Sequence, residues 1–344
     1  MRALTISAHG GIEQLELRRD LPVPEPAAGY VRIRLQAAAL NHLDLFTLGG
    51  LPGVTITPPW IMGADGTGVI DSVGDGVTAY TAGDTVVINP GISDGTCEYC
   101  RAGEQSMCVR FGLLGEHHPG TLAEYMVVPA RNVRTIPSSV PVESAAAFTL
   151  ATLTAWRMLI TKANVGPDDD VLIWGIGGGV AQAALRIAKA RGARVWVTSG
   201  SDEKLERARL LGADELLNHR TMSIGKEIRA RTAKRGVTVV VDSVGRMTWD
   251  QSLIALGKGG RLVTCGGTSG PFVQTDVRRL FWNQWTILGS TMGNDAEFDA
   301  VVEELRADRL LPVIDSVFEL EGGVDAFERM GTGQQFGKIV VRIS

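Results

Sequence analysis

The chain has 344 residues, with 34 Lys and Arg against 38 Asp and Glu, a net charge of −4 and 44% apolar residues. That length exceeds what one hydrophobic core usually holds, so two domains are expected. No run approaches the roughly 20 apolar residues of a membrane span. Neither sign of charge is concentrated, which excludes a nucleic-acid or anionic-membrane surface and leaves a cytoplasmic protein with a small-molecule substrate as the expectation.

The opening MRALTISAHGG reads as a short alternating strand and lacks the apolar centre of a secretory signal. Residues 1–130 are rich in short β-runs broken by Gly and Pro, among them Val31–Leu35, Val69–Val73, Thr85–Ile88 and Ala123–Val128. Inside this stretch three of the four cysteines fall together as Cys97-x2-Cys100-x7-Cys108, with Asp94 upstream. Zinc takes four such donors as a tetrahedron, and a carboxylate is an accepted member of the set. Four protein ligands leave no open position, so this ion would hold structure and do no chemistry. The alternative is a loop with three free thiols. The spacing of 94, 97 and 100 favours the metal.

From about residue 150 strands alternate with helices: Val171–Trp174 then Val180–Arg191, Arg194–Thr198 then Asp202–Leu211, Val237–Val241 then Trp249–Leu256, followed by Arg261–Cys265 and Thr286–Ser290. Repeated units of this length predict a parallel sheet covered on both faces. A helix at Glu297–Arg306 and strands at Val313–Phe318 and Lys338–Ile343 form a tail that can return to the first domain.

Between the first strand and helix of that alternation lie Gly177, Gly178, Gly179, Val180 and Ala181. Glycines here turn the chain sharply and let N–H groups at a helix start approach a pyrophosphate. Strand, turn, helix and second strand all fall in register, which is the context this dinucleotide fingerprint requires. At the end of the second strand an NAD-binding chain usually carries an acid for the ribose 2′-hydroxyl. Here the residues are Thr198, Ser199, Gly200 and Ser201, with Lys204 a turn later, although Asp202 and Glu203 follow closely. NADP(H) is therefore expected over NAD(H).

These features resemble the medium-chain dehydrogenase/reductase family over nearly the whole chain. The matching landmarks are Asn41-His42-Leu43-Asp44, Gly63-Ala64-Asp65-Gly66-Thr67-Gly68, the cysteine lobe at about 94–108, Thr121–Tyr125, the glycine turn and Gln335-Phe336-Gly337-Lys338. The resemblance implies an α/β protein: a GroES-like β-rich catalytic domain (1–130 and 291–344) plus a Rossmann domain with a doubly wound parallel sheet (131–290), the active site lying in the cleft. It implies one structural zinc, with Asp94 in place of the family's first Cys. At the catalytic zinc the family's alcohol dehydrogenases carry Cys and His where this chain has Asn41 and Ala64, and a third ligand near Leu150. The Asn-x-x-Asp pattern looks more like the zinc-independent quinone reductase branch, though Phe46 and Leu48 stand where that branch tends to carry Tyr and Arg. By the same alignment Lys204 and His219 meet the 2′-phosphate, Thr154 lies beside the nicotinamide, and Lys338 counts among the cofactor contacts. Cys265 reads as a buried wall of the cofactor site, and Gly266, Gly267, Gly289 and Ser290 as leaving room for the nicotinamide.

Without a Lewis acid, hydride transfer should need a substrate activated by conjugation, such as a quinone, enone or enal. Asn41 or backbone N–H groups would stabilise the enolate oxygen, His42 or solvent would supply a proton, and Asp44 and Asp65 would buttress the pocket. Two rivals stand beside this: a zinc alcohol dehydrogenase with a rearranged site from His42, Asp65 and His117 or His118, and a non-enzymatic NADP(H)-binding protein. The family's members are usually homodimers or homotetramers joined through an edge strand, here Thr286–Ser290.

Overall fold

Tyr30–Ala39 is the longest strand of the first structural unit, and its alternation sets the core: Val31, Ile33 and Leu35 are buried while Arg34 faces solvent. In the computed structural model, which describes residues 1–344, three strands pair antiparallel with it, namely Asp65–Val73, Tyr125–Pro129 and Lys338–Arg342. The seven-stranded sheet is completed by Thr85–Ile88, Val133–Thr135 and Ile314–Glu319. Leu4, Ile6, Ile33, Leu35, Met62 and Phe327 belong to the core it covers. The tail joins this sheet through the Lys338–Arg342 strand.

The unit comprises Met1–Ala151 with Gly293–Ser344, and the second comprises Thr152–Met292. Residues 131–151 therefore fall outside the expected Rossmann boundary at 131. The reason is pairing: Val133–Thr135 lies antiparallel to Thr85–Ile88, and Ala146 and Ala147 pack on Ala37, Ala39 and Val340.

In the second unit six parallel strands lie in the spatial order Glu215–Asn218, Arg194–Ser199, Asp170–Ile173, Val237–Asp242, Leu256–Thr264, Thr286–Gly289. In chain order that is third, second, first, fourth, fifth, sixth, the doubly wound order of dinucleotide-binding sheets. Glu215–Asn218 is absent from the expected elements, because four residues carry too little alternation to read. The helices His42–Gly49, Ile224–Arg231, Val277–Asn283 and Gly323–Gly331 were likewise not expected. No helix is long and apolar enough to cross a membrane.

Candidate functional site

In the first unit the landmarks Asn41, Asp44, Asp65 and Lys338 converge on one buried cluster. Asn41 precedes the His42–Gly49 helix, and its backbone N–H donates to Asp44 Oδ2 at 2.7 Å, an arrangement that closes the first turn. Lys338 Nζ donates to Asn41 Oδ1 at 2.6 Å and to Asp65 Oδ2 at 2.9 Å. Side-chain exposure is 4% for Lys338 and 0% for Asp65, so the ion pair is fully desolvated. The other Asp65 oxygen accepts from Leu150 N–H at 2.7 Å. Gly63 turns beneath them with φ of +98°, and a Cβ there would lie 2.7 Å from Thr121 Oγ1, so the turn requires glycine. Burial pushes the Asp44 carboxyl up to about 7, opposed by the Asn41 N–H and the Lys338 charge.

Two expectations change here. The Asn41 amide donates to Asp65 Oδ2 at 3.0 Å and to Ala39 O at 3.3 Å, so both its hydrogens are engaged. It holds the cluster together and has no N–H left for an enolate oxygen. Lys338, expected to touch the cofactor, is instead the cation of this buried pair, and its ammonium does not reach solvent. The same bonds bear on the rearranged metal site: Asp65 already binds an ammonium, which any second cation would have to displace. His42, by contrast, keeps an exposed residue surface, and its ring lies 5.9 Å from that of Phe46, edge on. Partial burial of the imidazole lowers its pKa, so it is neutral at pH 7.

The cysteine lobe brings Asp94, Cys97, Cys100 and Cys108 together, with their ligand atoms all within 4.8 Å of one another. Cys97 and Cys100 flank the first turn of a short helix, Glu98–Arg101. Asp94 Oδ1 accepts from the N–H groups of Thr96 and Cys97, which hold its carboxyl well below the usual range. Cys108 Sγ accepts from Asp94 N–H and Arg110 N–H, both at 3.3 Å, as a thiolate would. Burial, with the neighbouring thiols of Cys97 and Cys108, pushes the Cys100 thiol up to about 12. A dication would offset that penalty, since it binds thiolates. The donor set fits one zinc ion.

In the second unit the glycine turn follows Asp170–Ile173, with Gly175 at φ of +70° and Gly178 capping a helix over Gly179–Ala190. That helix begins one residue ahead of the expected Val180, which is only partly buried, whereas Ala181, Ala184, Ile187 and Ala188 are buried. Ser199 ends the next strand; its Oγ accepts from Ser201 N–H at 3.1 Å, and Ser201 caps the following helix through Lys204 N–H. Asp202, the carboxylate that argued for NAD(H), accepts from Asn218 Nδ2 at 2.7 Å. Its oxygen is thereby tied to the neighbouring strand. A Cβ on Gly200 would lie 2.7 Å from Arg220 Nε and 3.0 Å from His219 Nε2, so these two side chains close over the glycine and leave no room for a side chain there. His219 and Arg220 also line a cavity of about 530 Å³ with Trp174, Gly175 and Met247. Arg220 escaped the sequence reading, because an isolated Arg after a four-residue strand carries no local signal.

The remaining cofactor candidates lie at or beyond the strand ends. Thr154 is buried and donates to Met292 Sδ at 3.5 Å. Cys265 follows the Leu256–Thr264 strand; burial, then the Asp242 charge, pushes its thiol up to about 12, so it is no nucleophile at neutral pH. Gly266 accepts from Thr264 Oγ1, and a Cβ on Gly267 would lie 3.1 Å from Gly270 O. A Cβ on Gly289 would meet nothing within 4 Å. Ser290 Oγ is buried without a partner, an orphaned polar atom of the kind a ligand satisfies.

Comparison with known proteins accords with both units. Residues 27–138 match the family described as alcohol dehydrogenase GroES-like domain, and residues 179–307 the one described as zinc-binding dehydrogenase. The crystal structure of an NAD-dependent alcohol dehydrogenase is similar, with 43% identity and a TM-score of 0.96 over all of both chains. Acryloyl-coenzyme A reductase of Metallosphaera sedula is 30% identical over 99% of each chain. Quinone oxidoreductase of Homo sapiens is 28% identical over 99% of this chain and 97% of its own.

Proposed function

Because the chain belongs to the medium-chain dehydrogenase/reductase family, we propose that it is an NADP(H)-dependent oxidoreductase that passes hydride to activated carbonyl compounds, such as quinones, enones and enals, without a catalytic zinc. One observation carries this reading: the donors that would hold a Lewis-acidic cation are absent at Ala64 and Leu150 and engaged by Lys338 at Asn41 and Asp65. A substrate carbonyl must then bring its own electron deficiency. The acryloyl-coenzyme A and quinone reductases among the relatives act on acceptors of that kind by name.

Bound NADPH supplies the hydride. The N–H groups of Gly179 and Val180 at the start of the following helix would bind its pyrophosphate, and Ser199, Ser201, Lys204 and His219 would surround the 2′-phosphate. In an enone the hydride pair forms a C–H bond at the β-carbon while the π pair moves onto oxygen. Neutral His42 can donate a ring N–H to that oxygen, as neutral imidazoles do in other enolate-forming sites. A proton from solvent then completes the α-carbon. Asn41, Asp44 and Asp65 act on this reading as positioning residues. Asp94, Cys97, Cys100 and Cys108 would hold one structural zinc in the lobe, which would take no part in the chemistry.

Rates across a panel of quinones, enones and primary alcohols, with NADPH and NADH and with and without chelator, test the proposal. Expected are NADPH oxidation by conjugated acceptors that a brief chelator treatment leaves unchanged, and about one zinc per chain by elemental analysis. Chelator-sensitive oxidation of simple alcohols with about two zinc ions per chain would favour a zinc alcohol dehydrogenase instead. Tight cofactor binding with no turnover of any acceptor would favour a binding protein.

A second copy of the chain is the proposed partner. The Thr286–Gly289 strand lies at the sheet edge with its outer side unpaired, and Phe281 and Trp282 nearby are 64% and 73% exposed. Such an edge beside apolar side chains is a pairing surface. Trp282→Asp, combined with Ile287→Lys on the strand, is expected to shift the mass measured by light scattering from dimer or tetramer towards monomer. An unchanged mass would place the interface elsewhere.

A further inference from the structure

We infer that Glu116 is a further catalytic residue, the acid that passes the solvent proton to the substrate α-carbon; this rests on the activated-carbonyl reading above. Glu116 lies between the Gly112–Leu113 and Tyr125–Pro129 strands, on a segment bonded to the buried cluster of Asn41, Asp44, Asp65 and Lys338. Thr121 N–H donates to Gly63 O at 3.0 Å, and Thr121 Oγ1 donates to Asp65 O at 2.7 Å. Gly63 in turn donates its N–H to Asp44. Gly115, at φ of +77°, lies against the same Gly63, since a Cβ on it would meet Gly63 O at 2.6 Å. Trp60 Nε1 donates to Gly115 O at 2.8 Å and Leu114 N–H to Pro90 O at 3.0 Å, so the backbone leading into Glu116 is fixed. His42, the donor to the substrate oxygen on that reading, directly follows Asn41 of the same cluster.

Glu116 differs from the other carboxyls of this region in being buried and unused. Asp65 accepts from Lys338, Asn41 and Leu150, and Asp44 from Asn41 and Gly63. Glu116 is 8% exposed, yet its carboxyl accepts no hydrogen bond. The only ionisable group acting on it is His117, whose Nδ1 lies 3.9 Å from Oε2. That nitrogen accepts from Leu113 N–H at 3.3 Å, so it presents a lone pair and keeps the ring hydrogen on Nε2. Burial without donors therefore favours the neutral acid and raises the Glu116 pKa, opposed by His117 when that ring is charged. Nothing in the protein binds the resulting acidic hydrogen, which leaves it free for a ligand. Once hydride has bonded to the β-carbon of an enone, the enolate π pair forms the α C–H bond with this hydrogen. The carbonyl is thereby restored, and the Glu116 carboxylate regains a proton from solvent through its remaining exposed edge. His42 keeps its own hydrogen throughout. When phenanthrenequinone is reduced the added hydrogens end on oxygen, so no carbon needs an acid.

The test uses the full-length protein with NADPH and two acceptors, carvone and phenanthrenequinone, for the parent, Glu116→Gln and Glu116→Asp. Protonation of the carvone α-carbon creates a stereocentre, so the ratio of the two dihydrocarvone epimers, read by gas chromatography, reports how the proton arrives. The parent should give one epimer. Glu116→Gln should lose about 100-fold or more in kcat for carvone relative to its kcat for phenanthrenequinone, the range for a general acid. Its product should show the epimer ratio of an enolate protonated in free solution. Because the carboxyl makes no hydrogen bond, the melting temperature of Glu116→Gln is expected to match the parent's. Glu116→Asp, an acid of shorter reach, should lose less and keep the parent's epimer. If Glu116→Gln slows both acceptors equally with the epimer ratio intact, or leaves the carvone rate and ratio as they were, the inference is overturned. Turnover of phenanthrenequinone with none of carvone by the parent also overturns it, while the reductase reading stands. If the parent reduces neither acceptor, the activated-carbonyl reading itself fails and this inference goes with it.

Discussion

Lys338→Met is expected to destabilise the protein by about 3–5 kcal/mol, the range for removing one partner of a buried ion pair. The loss comes less from the missing attraction than from what remains. Asp65 is completely buried, and without Lys338 it keeps only the N–H groups of Asn41 and Leu150. Asn41 Oδ1 loses its 2.6 Å donor in the same step. Asp65→Asn in the Lys338→Met background should regain part of the loss, because the orphaned charge is then gone. Urea midpoints of the two single variants, the double variant and the parent give the coupling. A loss below about 1 kcal/mol, the level of an exposed pair, would contradict the buried geometry. NADPH affinity discriminates further: a residue locked in this pair should leave it little altered, whereas a direct cofactor contact should not.

Asp44→Asn is expected to alter the pH dependence of stability. The native carboxyl is raised to about 7 from an ordinary 3.8. A raised carboxyl stabilises the fold through the proton it retains. That contribution is complete below about pH 3.8 and is lost as pH rises through about 7. At about 1.4 kcal/mol per unit, the change amounts to as much as about 4 kcal/mol across this window. Other carboxyls, such as Asp169 and Asp315, are held low and lose their contribution on acidification. They are common to parent and variant, so the difference between the two proteins isolates Asp44. The stability of Asp44→Asn relative to the parent should rise steadily from pH 4 to pH 8, by urea denaturation at matched ionic strength. Two parallel curves would mean that Asp44 is ionised throughout. The slope is the readout, since Asn presents an N–H2 where the carboxyl accepted a second bond.

Features written in local spacing were legible from the chain alone. The cysteine lobe is one: Asp94, Cys97, Cys100 and Cys108 lie on a tight loop, and contour length forces them together whatever the rest of the fold does. The glycine turn is another, because a buried strand, glycines and a helix in succession have few ways to pack. The missing acid after Thr198 could also be read, as a property of one strand end. Short or mostly polar elements could not. Glu215–Asn218 and Ile224–Arg231 owe their conformation to the sheet and helices they join.

Only the tertiary structure decided what the polar groups do. Lys338 lies 297 residues from Asn41 and 273 from Asp65, so no window contains the pair. Asn41 reads as a catalytic donor until its neighbours are known, and then both its hydrogens are taken. Asp202 reads as a ribose acid until Asn218 claims it, and Arg220 reads as a surface charge until Gly200 is found beneath it. The types and spacing of side chains are carried by the sequence. Whether a donor is free or engaged depends on which distant atoms arrive within about 3 Å, and folding alone sets that.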